Sequence, residues 1–232
     1  MQSSPLHNLL QKHASTFYPV VNFDPLKNHL LQLDFTAANT KLTSKILADT
    51  NLFTQYIQEL LNEKYTYGIG GYAENRTIYA RSSKFDGEEP RRVHLGVDIW
   101  GSAGTPVFAP LDGHVHSFAF NNFYGDYGAT IILKHELEGI IFHTLYGHLS
   151  VSDITQLMEG QFIRKGTEIA HFGIPADNGH WPPHLHFQII SEIKRNKGDY
   201  IGVCKYSEKE KYLFNCPDAD LILQMMQYSV KV

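Results

Sequence analysis

The sequence predicts a mainly β fold of the α+β class, an antiparallel sheet preceded by an N-terminal helical segment. Two phrases carry the period of two that a half-buried strand requires. In Val93-His94-Leu95-Gly96-Val97-Asp98-Ile99 the apolar residues are odd-numbered, and in His184-Leu185-His186-Phe187-Gln188-Ile189 they are odd again. The third observation lies upstream. Across residues 43–64 the side chains of Ile46, Leu47, Leu52, Phe53, Tyr56, Ile57, Leu60 and Leu61 recur at helical spacing and make one apolar stripe.

In chain order, residues 5–10 and 26–33 read as short helical patterns, and 43–64 as a stronger helix that packs on the sheet. These give an N-terminal helical segment over 1–67 and a β domain over 68–232. Gly68-Ile69-Gly70-Gly71-Tyr72 reads as a flexible hinge, because it lacks the G-K-[ST] ending of a phosphate loop. Residues 72–81 are expected to form a strand near the entrance of the site. Beyond Arg92, strands are expected near 93–99, 106–109, 113–121, 129–136, 140–148, 167–172 and 184–191, with short glycine turns between them. Residues 152–160 suit a brief helix. Pro217 at a first helical position, followed by Leu221, Ile222 and Met225, predicts a closing one.

The polar faces of the two alternating phrases hold His94, Asp98, His184 and His186. Neutral imidazoles and a carboxylate are the donors of a catalytic zinc, which takes three protein ligands and keeps a fourth position for water. His184 and His186 lie about 6.6 Å apart along one strand and share a face. On a straight strand His94 and Asp98 would be about 13 Å apart, too far for bonds of roughly 2 Å to one ion. The backbone must therefore bend between them, and Gly96 is where bending costs least.

With Tyr146-Gly147-His148-Leu149, Gly104-Thr105-Pro106-Val107 and Ala109-Pro110-Leu111-Asp112-Gly113, these phrases resemble the lysostaphin/LytM-like zinc metallopeptidases over residues 91–191. The resemblance implies the antiparallel fold of that family. It also implies Zn2+ held by His94, Asp98 and His186, with His148 and His184 as unligated catalytic histidines. One of these two would act as base and the other as oxyanion stabiliser, in either order. The implied activity is that of a zinc metalloendopeptidase or amide hydrolase. Its substrate would be a peptide from cell-wall turnover or a small amino-acid-derived amide. The alternative is a non-catalytic binding or regulatory domain on the same fold. Asn178-Gly179-His180-Trp181-Pro182-Pro183 departs from the lead usual in exported cell-wall enzymes. With residues 198–204 and 217–223 it resembles the branch found between phosphotransferase and class III aminotransferase domains.

Other histidines have different expectations. His114 and His116 repeat the H-x-H spacing, but on a strand leading away from the metal phrase. His135 and His143 could orient a ligand from behind; His171 and His180 could do the same, with His180 and Trp181 also shaping the substrate wall. His7, His13 and His29 read as surface residues. Glu74 and Arg76 could pair with substrate termini, Asn75 could approach the metal, or all three could line a solvated edge. Cys204 and Cys216 lack a C-x-x-C spacing and read as free thiols off the metal.

The net charge of −4, with no run of Lys or Arg longer than Arg91-Arg92, gives no footprint for nucleic acid or an anionic membrane. No stretch approaches the roughly 20 apolar residues of a membrane span. Met1 to His7 lacks the charged start and apolar core of a secretory signal, so the chain reads as cytoplasmic.

Overall fold

The structure is a computed structural model and describes residues 4–231. Helix α1 (Pro5–Lys12) starts where the Ser4 side chain accepts from the His7 N–H, with Pro5 in the first turn. Strand β1 (Leu30–Leu33), helices α2 (Ser44–Ala48) and α3 (Thr50–Leu61) and strand β2 (Tyr67–Gly70) follow. Next come β3 (Arg91–His94), β4 (Val97–Trp100), β5 (Pro106–Phe108), β6 (Gly113–Asn121), β7 (Gly128–Leu137) and β8 (Ile140–Leu149). After α4 (Val151–Ile154) come β9 (Phe162–Ile163), β10 (Glu168–His171), β11 (His184–Ile190) and β12 (Val203–Lys205). The chain closes with α5 (Lys209–Asn215), α6 (Asp220–Leu223) and β13 (Ser229–Val230).

The fold is mainly β, as the alternation requires. Nine strands form one sheet in the order β13-β1-β2-β4-β11-β8-β7-β6-β9, and short ladders join β10 to β5 and β12 to β3. Pairing is antiparallel except between β1 and its two neighbours. The odd-numbered face of the two phrases packs as read: Val97, Ile99, Leu185, Phe187 and Ile189 join Ile131, Leu133, Tyr146 and Phe172 in the main core. Each such side chain, fully buried, contributes about 1.5–3 kcal/mol. The apolar stripe of α3 buries Phe53 and Ile57, and Phe53 lies 5.9 Å from the Trp100 ring, which fastens the helix beside β4.

Several local expectations are corrected. The proposed hinge is the buried strand β2, between β1 and β4. Its glycines serve close packing, since a Cβ on Gly68 would come 2.6 Å from Leu33 Cδ1. Residues 26–33 end in strand β1 rather than helix, and that strand, from the first 67 residues, joins the main sheet. The expected boundary between 67 and 68 falls within β2. The helix expected over 43–64 is two, because Asp49 leaves helical geometry and caps α3 through the Asn51 and Leu52 N–H groups. Residues 72–81 make one isolated bridge, Asn75 to Val93, and a 3-10 turn over Ile78–Arg81 instead of a strand. The helix expected over 152–160 is only the single turn α4, and the closing helix α6 begins at Asp220 rather than at Pro217.

Candidate metal centre

The phrase around His94 is broken, as its geometry demanded. β3 ends at His94, β4 begins at Val97, and the chain passes between sheets at Leu95-Gly96. Gly96 is required there for a second reason: a Cβ would stand 2.6 Å from the Phe187 carbonyl oxygen and 2.7 Å from His186 Cε1. β11 lies directly beside β4 with His186 opposite Asp98 and His184 opposite Trp100. Register alone therefore sets one imidazole against the carboxylate.

The donor atoms converge. His94 Nε2 is 2.9 Å from His186 Nδ1 and 3.2 Å from Asp98 Oδ1, and His186 Nδ1 is 3.0 Å from the same oxygen. Among the described residues these three form the one cluster of His, Cys, Asp and Glu side chains able to hold a metal. A tetrahedral ion with bonds of about 2.0–2.1 Å needs donors about 3.3 Å apart, so the set fits zinc with a slight spread.

Outer partners fix which nitrogen is offered. His94 Nδ1–H donates to the Gly71 carbonyl at 3.1 Å, which leaves Nε2 as the free lone pair. His186 Nε2–H donates to Gln188 Oε1 at 2.9 Å, leaving Nδ1 free. The second carboxylate oxygen of Asp98 is taken by Arg76, whose Nε also donates to Glu74 Oε2 at 2.7 Å. Arg76 is thus a buried cation behind Asp98. It does not meet a substrate terminus. Asn75 is exposed and tied to Val93, away from the cluster.

His148 and His184 stand beside this cluster, with ring centres 4.1 Å apart. His148 Nδ1–H donates to the Asn178 carbonyl at 2.8 Å and His184 Nδ1–H to the Pro182 carbonyl at 2.7 Å. Both therefore present a free Nε2 toward the pocket. His184 is stacked on Trp100 at 3.9 Å, and the His148 ring lies 6.4 Å from His186. The backbone at His148 has φ +65°, where β8 inserts an extra residue opposite β7; the bulge turns this side chain into the site.

Electrostatics keep the imidazoles neutral. Burial, reinforced by the Arg76 cation, pushes His94 down to about 3, and burial pushes His184 down to about 4. His148 is held well below the ordinary value by burial and by the adjacent His184 and His186. Burial works against ionising Asp98, but His94 and Arg76 outweigh it and hold the carboxyl well below its usual range. Neutral imidazole and ionised carboxylate are the states that bind metal.

The remaining histidines lie elsewhere. His114 is exposed against Phe162, and His116 and His143 face each other at 4.9 Å. His135 is bound between the Asp112 carbonyl and Thr144, and His171 pairs with Asp153. None of these is part of the cluster. His180 stacks on Tyr124, and Trp181 lines the pocket. Cys204 and Cys216 are free and buried. Sequence reading missed Gln188, Trp100, Tyr127 and the role of Arg76. Gln188 and Trp100 carried a signal, since each follows a site residue by two on the same strand face.

The sequence profile of peptidase family M23 matches residues 92–202. Over 97 residues the chain is 39% identical to an uncharacterized metalloprotease of Haemophilus influenzae, covering 42% of this chain and 18% of that one. Over 109 residues it is 32% identical to lipoprotein NlpD of Yersinia enterocolitica, covering 47% of this chain and 96% of that sequence. The catalytic domain of lysostaphin from Staphylococcus simulans aligns with a TM-score of 0.41 and 21% identity, over 68% of this chain and 97% of that one. The chain spans about a quarter or less of the length of the first curated relatives it matches. No helix among the described residues is long and apolar enough to cross a membrane. The matched stretch contains all five residues of the converged site, and the chain belongs to peptidase family M23.

Proposed function

We propose that this chain is a zinc-dependent hydrolase of peptide or amide bonds, with His94, Asp98 and His186 as ligands. The observation that carries the reading is the convergence of three donor atoms whose tautomers are set from behind by Gly71 and Gln188. When bound, zinc supplies Lewis acidity and a water of lowered pKa. The protein supplies the rest. His148 and His184, neutral and with Nε2 free, accept the proton of the nucleophile and return it to the leaving amine. Whichever of the two holds the proton stabilises the oxyanion. Trp100 stacks on His184 and holds its plane, while the Asn178 and Pro182 carbonyls hold the two tautomers. The branch associated with phosphotransferase and aminotransferase domains is the finer placement we propose, on the Asn178–Pro183 phrase together with residues 198–204 and 217–223.

The test is metal analysis of purified protein beside Asp98→Ala, with a peptide panel assayed with and without chelator. One zinc per chain, lost in Asp98→Ala together with turnover, is the expected result. Protein that carries no stoichiometric metal and cleaves no peptide would instead be a binding domain on this fold.

A further inference from the structure

Four of the five site residues, Asp98, His148, His184 and His186, line a well whose other walls come from three separate segments. The first, residues 78–85, is stapled to the loop before β7. Ser82 Oγ donates to the Tyr124 carbonyl at 2.5 Å, Arg81 donates to the Tyr124 hydroxyl at 2.7 Å, and Lys84 pairs with Asp126. The end of β6 and that loop are in turn tied to the third wall, residues 198–203. Asn121 Nδ2 donates to the Gly198 carbonyl at 2.9 Å, and the Tyr127 hydroxyl lies against Gly202. Leu95 N–H donates to the Gly202 carbonyl at 2.9 Å and closes the ring on the metal side.

These bonds join the three walls to one another around the site and bound the space a ligand can fill. The space open to the centres of water-sized groups is about 70 Å3. One water needs roughly 10–15 Å3 on that measure, so the well encloses about five to seven water-sized groups, enough for the middle of a dipeptide whose two ends reach the rim. Four charged side chains other than Asp98 line it: Lys84, Arg91, Asp126 and Asp199. Lys84 and Asp126 neutralise each other. Arg91 uses one nitrogen on the Lys84 carbonyl, and Asp199 is exposed at the rim, where its carboxylate takes the Tyr200 N–H and no side-chain hydrogen bond. One cation and one anion are thus left to face a ligand.

We propose that the site takes a short zwitterionic amide end-on, a free dipeptide or close analogue, with Asp199 reading its ammonium and Arg91 its carboxylate. This rests on the hydrolase reading and narrows it from peptides in general to small ones with free termini. The reaction is hydrolysis: water adds to the carbonyl carbon, the C–N bond breaks, and the amine leaves with the proton the site histidines carry.

The zinc-loaded full chain is tested on Ala-Ala, acetyl-Ala-Ala, Ala-Ala-amide and a decapeptide holding the same bond internally. The expected kcat/KM for Ala-Ala is at least about tenfold above each of the others, one charge-assisted contact apiece. Asp199→Asn should erase the penalty of acetylation and Arg91→Gln that of amidation, both through KM. Comparable turnover of the decapeptide, or discrimination unchanged in both variants, overturns the proposal. Calorimetry of Ala-Ala and acetyl-Ala-Ala, with and without zinc, separates this from the reading beneath it. Preferential binding of Ala-Ala without turnover upholds the well and removes the hydrolase; equal or absent binding removes the well itself.

Discussion

Arg76→Met strips a buried cation from behind Asp98 while keeping most of the side chain's length. Arg76 is 1% exposed, pairs with Asp98 and Glu74, donates to the Gly71 carbonyl at 3.3 Å and lies over the Phe35 ring. Removing one partner of a buried pair costs about 3–5 kcal/mol, because the other charge is left uncompensated. For a chain of this size about 2–4 °C is lost per kcal/mol, so the metal-free variant should melt roughly 6–20 °C below the parent. Protonation of Asp98 limits the loss, and the deficit is therefore larger at pH 8 than at pH 5. Zinc supplies positive charge to the same carboxylate. Saturating zinc should accordingly raise the melting temperature of Arg76→Met more than that of the parent, beyond the roughly 2.7 kcal/mol that ligand at a hundred times Kd gives any binder. Calorimetric melts in chelator and in excess zinc decide the matter. An equal deficit under both conditions, or a drop of less than about 2 °C in chelator, would refute the idea that arginine and metal share the task of neutralising Asp98.

Three further outcomes follow from the site and the core. His148→Gln should lower kcat by about 10²–10⁴-fold, the usual worth of a positioned proton carrier, with zinc content unchanged by metal analysis. Gln188→Met takes away the acceptor that fixes the His186 tautomer; competition titration should find zinc bound about 10–100-fold more weakly, and unchanged affinity would mean that Gln188 merely packs. His135 is buried, and burial pushes it down to about 4 from an ordinary 6.5. The unfolded chain therefore binds its proton first, so the stability this neutral ring contributes is present above about pH 6.5 and lost as pH falls toward 4, by about 3 kcal/mol. His135→Gln should flatten that part of the stability–pH curve, measured by urea unfolding.

Strand alternation makes most of the converged cluster legible in the sequence. His94, Asp98, His184 and His186 stood on polar faces opposite apolar ones, and two adjacent strands bring such faces together by register. The bend at Gly96 followed from the 13 Å that a straight strand would impose, about twice what one ion can bridge. Helical periodicity found α3 but not its break, because Asp49 sits where the apolar stripe tolerates any polar residue and only its capping bonds end one helix and start the next. Glycine spacing misled in the opposite direction. Gly68 and Gly70 read as flexibility, whereas in β2 they let Leu33 and Arg76 approach a buried strand.

The parts that stayed hidden share one cause: they are contacts between segments that have no period of their own. Arg76 and its partner Asp98 are 22 residues apart, and nothing local to residues 72–81 says that a guanidinium there is buried. The same holds for the wall over residues 78–85, which is held by single side chains to Tyr124 and Asp126. Both lie upstream of the stretch 92–202 that matches the family. The proposed ligands and catalytic histidines are therefore encoded in that stretch, while the charge that steadies Asp98 and one wall of the well are added from outside it. It follows that substrate size and metal-free stability should change with residues 72–91 even where the five site residues are untouched. Arg81→Ala, which removes the hydrogen bonds to Tyr124 and Thr50, should relax the bias against the decapeptide without altering zinc content. If it leaves that bias intact, the upstream segment is packing alone.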